Sequence, residues 1–268
     1  MIEQRTLTEY IRQFCHHMEI PLIGFADVKR WNTPLFDPWI PQEFSPQSIF
    51  PGSQSVIVIG LPVHLPVLET SPSIWYRELY KTINSLLDQY TYRIASLLNE
   101  RGHPSVSVPR DGYGSIKVLK KNPITFFSHR HAAALAGLGT FGTNNMVLTP
   151  DYGPRVRFAS VFTQACLKAD PIMTNNLCIR CNQCVSMCPV QAIEEGTYPQ
   201  AITDKRACAN YSADLNHHYI SPCGICIKVC PVGADRSKFG REDPGIYDPG
   251  NEHDLKKGWN HVRQYGRM

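Results

Sequence analysis

The chain has 268 residues, 43% of them hydrophobic and 19% charged, enough to bury a core as one large domain or two modest ones. Its formal net charge of +4 is mild and forms no concentrated basic stretch, so composition does not mark a dedicated nucleic-acid binder. No apolar run reaches the length of a bilayer span, and Met1-Ile-Glu-Gln-Arg leads into polar residues rather than the apolar core of a secretory signal.

In chain order, Thr6-Leu-Thr-Glu9 has the spacing of a capping box, and Leu7, Tyr10, Ile11, Phe14, Cys15 and Met18 recur at helical intervals. This predicts an N-terminal helix with one buried face, on which Cys15 reads as core, while His16 and His17 read as solvated. Residues 23–28 read as a short strand, and the Pro-rich stretch over residues 31–52 reads as irregular punctuation between elements. Residues 56–59 form a continuous apolar run of the kind buried on both faces of a central strand. Ser71-Pro72 reads as the start of a long helix with Leu79, Ile83, Leu86, Leu87, Tyr90, Ile94, Leu97 and Leu98 as its stripe and Gly102 as its stop. Val106 and Val108 predict another strand, with Arg110-Asp-Gly-Tyr-Gly114 as the loop beyond it. Strands separated by helices over this length imply an α/β domain.

Next comes an Ala-rich helical segment from Ser128 that runs into Gly137, Gly139 and Gly142, a match to the dinucleotide fingerprint in letters only. That fingerprint must follow a strand and open a helix, and here a helix precedes the glycines and a strand at residues 146–148 comes after them. The glycines are expected to end the helix and to let the backbone lie against something large and flat, or to make a structural turn. Residues 155–163 read as a strand whose alternation puts Arg155 and Arg157 on one face, suited to a carboxylate or phosphate or to a structural salt bridge.

Eight of the ten cysteines lie in two runs. The first is Cys178-Ile-Arg-Cys181-Asn-Gln-Cys184-Val-Ser-Met-Cys188-Pro189; in the second, Cys208 stands alone before Cys223-Gly-Ile-Cys226-Ile-Lys-Val-Cys230-Pro231. Three thiolates at two-residue gaps can bend round one cubane, and the cysteine before proline serves the other cluster. Cys178, Cys181, Cys184 and Cys230 then form one [4Fe-4S] site, and Cys188, Cys208, Cys223 and Cys226 the other. Zinc fits the third cysteine poorly, and disulfides are not expected without a secretory signal. Such thiolates last in a reducing compartment, which points to the cytoplasm. Beyond Pro231 the chain turns polar and Gly-rich, with a short helix expected over residues 254–265 in a tail that wraps the surface.

The order Ala136-Gly-Leu-Gly139, Gly142, Asn144, Gly153-Pro-Arg-Val-Arg157 and then the two cysteine runs resembles the epoxyqueuosine reductase family and its relatives, the reductive dehalogenases, over roughly residues 100–235. The resemblance implies a mixed α+β or α/β fold. A nitroreductase-like domain (1–165) would hold a base-off cobalamin, a ferredoxin-like domain (166–235) would hold both clusters, and residues 236–268 would form a C-terminal tail. Electrons from a low-potential ferredoxin- or flavodoxin-type donor would pass through the clusters to the corrinoid, which reduces a small-molecule or nucleoside-like substrate. Gly137, Gly139, Gly142, Asn144, Arg155 and Arg157 are the residues expected at the cofactor. Asn122-Pro123 stands where the family carries its aspartate proton donor, and no helical-repeat domain follows Pro231, so a tRNA substrate is not expected and the chain resembles a short paralogue. Candidate proton donors are then His129, His131, Asp111, Tyr113 and Tyr152, the histidines leading because they titrate near neutrality. The rival expectations are a ferredoxin-type electron carrier and a reductive activator of a partner corrinoid protein.

Overall fold

The structure is a computed structural model that describes residues 4–32, 42–111, 114–201 and 203–265. Helix α1 (Gln4–His17) leads into strand β1 (Leu22–Asp27); a single helical turn, α2 (Pro46–Ile49), precedes β2 (Ser55–Pro62). After the turn α3 (Leu65–Leu68) come the long helix α4 (Ile74–Glu100), β3 (Ser105–Val108), α5 (Ile116–Lys121) and α6 (His129–Leu135). A two-stranded ribbon, β4 (Thr140–Phe141) with β5 (Val147–Leu148), is followed by β6 (Val156–Thr163). The cysteine region adds α7 (Gln183–Ser186), α8 (Lys205–His217) and α9 (Ile225–Lys228), and the chain closes with α10 (Asp235–Lys238) and α11 (Asp254–Gln264).

The main sheet has the order β1-β2-β6-β3, and every pairing in it is antiparallel. The fold is thus the α+β form of the mixed class. Helices between strands do not by themselves make a parallel sheet. The apolar run in β2 is central, with Ile57 and Ile59 packing toward α1 and α4 while Val56 and Val58 pack toward α6 on the other face. Such two-sided burial is why that run shows no alternation of polar residues.

Two helix starts differ from expectation. Helix α1 begins at Gln4, ahead of the Thr6 capping box. Helix α4 begins at Ile74 with Ser73 as its cap, the Ser73 hydroxyl accepting from the Tyr76 amide at 3.1 Å, so Ser71-Pro72 lies outside the helix. The end of α4 is as expected: Gly102 has φ +77°, and the amides of Gly102 and His103 return to Asn99 and Leu98.

The tail is more than a surface wrap. Trp259 of α11 is buried against Tyr247 and His253, and Trp259 and Tyr247 join Cys184, Ile193 and Val229 in a small apolar core of the cysteine region. Arg263 donates to the carbonyls of Glu69 and Thr70 at the turn before α4. Among the described residues no helix is long and apolar enough to cross a membrane.

Candidate double-cluster site

The two cysteine runs repeat in three dimensions. Each forms a helical turn, α7 or α9, entered through a residue in the left-handed region: Asn182 (φ 56°) after Cys181 and Gly224 (φ 73°) after Cys223. Asparagine tolerates that backbone. Gly224 has a second reason to be glycine, because a Cβ there would stand 2.6 Å from the Tyr76 ring.

A pocket open to solvent lies among Cys178, Cys181, Cys184 and Cys230, walled on one side by residues 142–144 and on another by Pro231 and Val232. Among the described residues no three His, Cys, Asp or Glu side chains close on a single ion, so the thiols surround a hole rather than a point. Burial pushes Cys184 up to about 12, reinforced by the neighbouring Cys230, Cys178 and Cys181 thiols. Cys178 goes the other way. Burial raises it, but hydrogen bonds from Thr143 and Arg180 more than offset this and lower it overall. In the second group burial raises Cys208 and then Cys188 does, burial lifts Cys223 to about 11 with Cys208 and Cys188 adding, and Cys226 is raised by burial and then by Cys223, Cys208, the first group's Cys184 and Cys188. All ten cysteines are free thiols. Cysteine ligands bind as thiolates, so iron displaces these protons.

The glycine segment lies at this site. Helix α6 ends in a Schellman turn, with the Gly137 amide donating to Ala134 and the Leu138 amide to Ala133; Gly137 has φ +75° and no room for a side chain against the Pro171 carbonyl. The loop then runs between the two cysteine groups. Thr143 Oγ1 is 3.6 Å from Cys178 Sγ and donates to the Gly196 carbonyl, while Asn144 Nδ2 donates to the Cys226 carbonyl at 3.3 Å. Gly142 and Asn144 thus lie beside the cysteine groups, whereas a Cβ at Gly137 or Gly139 would meet the Pro171 or Leu148 carbonyl.

Arg155 and Arg157 diverge in role. Arg155 is fully buried and spent: Nε and a terminal nitrogen grip Asp235 at 2.7 and 2.6 Å, and further donors reach the carbonyls of Cys230 (2.9 Å) and Val232 (2.7 Å). It clamps the sheet to the first site and is not placed to take a ligand. Arg157 is partly exposed, donates to Asn84 Oδ1 at 3.1 Å, pairs with Asp111 at 3.4 Å and lies 4.3 Å over the Tyr80 ring. Tyr80 meets Tyr76 edge-on, and Tyr76 lies against Gly224 between two second-site ligands. Arg130 of α6, whose guanidinium donates to the Asn145 carbonyl, also sits where the charges of Cys208 and Cys226 reach it.

The candidate proton donors are scattered. His129 and His131 are both buried in the core, correcting the expectation that the histidines lead as donors. His129 is held by Ser160 (2.9 Å) and the Pro109 carbonyl (3.0 Å), and burial lowers it to about 4. His131 lies between Ser128 (2.6 Å) and the Tyr198 hydroxyl (2.5 Å), and burial followed by Arg130 and Lys205 keeps it well below the usual imidazole range. Both are neutral packing residues. Tyr152 sits on the turn beside Gly233 at the first site, Asp111 faces Arg157, and Tyr113 lies outside the described residues. Sequence reasoning missed Thr143, Tyr76, Asp235 and Arg236. Of these only Thr143, inside the glycine segment, carried a local signal.

Fold and site define an α+β protein that carries a ferredoxin-like module with two [4Fe-4S] sites. Residues 177–234 match the model of the 4Fe-4S dicluster domain, a range that includes all eight cysteines of the two runs. The chain is 26% identical over 250 residues to an epoxyqueuosine reductase from Gloeobacter violaceus, covering 85% of this chain and 71% of that protein. It is 25% identical over 233 residues to a tetrachloroethene reductive dehalogenase from Dehalobacter restrictus, covering 77% of this chain but only 39% of the relative. A solved reductive dehalogenase described as pointing to a mechanism for B12-dependent dehalogenation shares the fold, with a TM-score of 0.61 at 18% identity over 91% of this chain and 35% of that one. In sequence and in fold the chain is thus related to the epoxyqueuosine reductases and reductive dehalogenases.

Proposed function

We propose that the chain is an iron-sulfur reductase that holds a base-off cobalamin beside the second cysteine group and reduces a small-molecule or nucleoside-like substrate with it. The observation that carries this reading is the partly exposed set Arg157, Asp111 and Tyr80, backed by the buried Asn84 and joined to the second site through Tyr76 and Gly224. Its donors suit a corrin, whose rim bears amides and whose nucleotide tail bears a phosphate: Arg157 offers a charged fork, Asn84 and Asp111 accept, and the tyrosine faces exclude water. When bound, cobalamin supplies reductive bond-breaking chemistry that side chains lack. In this reading residues 1–165 hold the corrin, residues 166–235 relay electrons from a low-potential ferredoxin- or flavodoxin-type donor, and residues 236–268 brace the module. Asp111 takes a proton from solvent and delivers it to the substrate, being the candidate donor that the fold sets beside Arg157 with its carboxylate partly in water. The compartment is the cytoplasm, where such thiolates stay reduced.

The test is to purify the protein anaerobically, reconstitute its clusters, add cob(II)alamin and record the EPR spectrum. Loss of the nitrogen superhyperfine splitting reports base-off capture. Arg157→Gln is expected to weaken retention by about tenfold, the worth of one hydrogen bond to a charged group, with iron content unchanged. An unchanged spectrum, with no co-elution on gel filtration, would leave a ferredoxin-type carrier as the function.

A further inference from the structure

Arg236 is 2% exposed, and every hydrogen bond it donates goes to a neutral group. Nε and one terminal nitrogen converge on the carbonyl of Cys230, at 3.0 and 2.5 Å; that same terminal nitrogen also reaches the Lys228 carbonyl, and the other meets the Tyr247 hydroxyl at 2.6 Å. The adjacent carboxylate, Asp235, is taken by Arg155 on both of its oxygens. Glu69 stands one hydrogen bond further out, accepting from Tyr247 at 2.8 Å and from Arg241 at 2.7 Å. A guanidinium withdrawn from water needs a negative partner, and no carboxylate among the described residues touches this one.

We infer that Arg236 is the built-in counter-charge of the first cluster site and raises its reduction potential. Four thiolates and their iron core supply the missing negative charge beside Cys230, and each electron accepted there adds one more. A fixed buried cation favours the reduced form, in a medium where charges are weakly screened. Arg236 is thus a positioning residue that acts through the Cys230 peptide and through its field. The inference rests on the cluster sites alone and stands whether the protein is a reductase or a carrier.

A dithionite titration of the reconstituted protein, followed by EPR, tests it; the first-site signal is the one that Cys188→Ala retains. Arg236→Gln should move the first-site midpoint to more negative potential and leave the second in place, whereas Arg236→Lys, which keeps the charge, should restore most of the shift. Glu69→Gln removes the carboxylate that lies one hydrogen bond beyond Arg236, through Tyr247, and should move the same midpoint the opposite way. Equal shifts in the glutamine and lysine variants, or no shift, would overturn the inference. If Arg236→Gln fails to assemble the first cluster, Glu69→Gln decides alone, a rise supporting the inference and a fall or no change overturning it.

Discussion

His129 donates its Nε2 proton to the Pro109 carbonyl, which can only accept, and so receives at Nδ1 from the Ser160 hydroxyl. The ring is neutral by its partners as well as by burial, which holds it at about 4 against an ordinary value of 6.5. Because the unfolded chain takes the proton first, stability is intact above pH 6.5 and is lost as the pH falls toward 4. The loss totals about 3.5 kcal/mol at ~1.4 kcal/mol per pH unit. Denaturant midpoints of the anaerobic holoprotein should therefore fall over that window, and His129→Asn should flatten the slope. Residue chemistry was legible only as far as the backbone period carries it. Alternation put Arg155 and Arg157 on one face, yet nothing local foretells that Asp235 claims the first and leaves the second to Asn84 and Asp111. The lead given to the histidines failed for the same reason, since a pKa is set by partners that only folding brings.

The α6 helix and its glycine loop show what an element can and cannot announce. The glycines mark the stop, and the Schellman turn arises from Gly137 taking a backbone that other residues resist. Their target is set by tertiary packing, which brings the loop between the cysteine groups. At Gly139 a Cβ would lie 2.0 Å from the Leu148 carbonyl, so Gly139→Ala must displace the ribbon that supports Thr143 and Asn144. Iron at the first site is expected to drop and thermal stability to fall. Gly102→Ala is the control: nothing lies within 4 Å of the added carbon, and its left-handed backbone costs about 1 kcal/mol with no change in iron. The echo between the cysteine runs could be read because the cysteine spacing and the closing Cys-Pro recur in both. The antiparallel sheet could not, because helical connections of this length reach either end of a neighbouring strand.

Across the whole molecule, two sites predict about eight irons per chain at four per cubane. Cys188→Ala should bleach the site built from Cys208, Cys223 and Cys226, and iron assay with EPR of the remaining signal would check this. The tail matters at this scale too. Trp259→Ala, which empties part of the apolar core beneath Cys184, should cost about 3–5 kcal/mol and hasten loss of iron from both sites. Cysteine spacing made the dicluster domain readable, whereas the packing of residues beyond Pro231 rests on Tyr247, Trp259 and Arg263 meeting partners that are remote in sequence. Because Cys188 and Cys230 each close the site opened by the other run, neither run is a self-sufficient peptide. Oxidative attack at the solvent-facing Cys181 would therefore free Cys230, slacken α9 and loosen the grip on the second site. Air damage should then erase both chromophores together at one rate, where independent sites would fade in two phases.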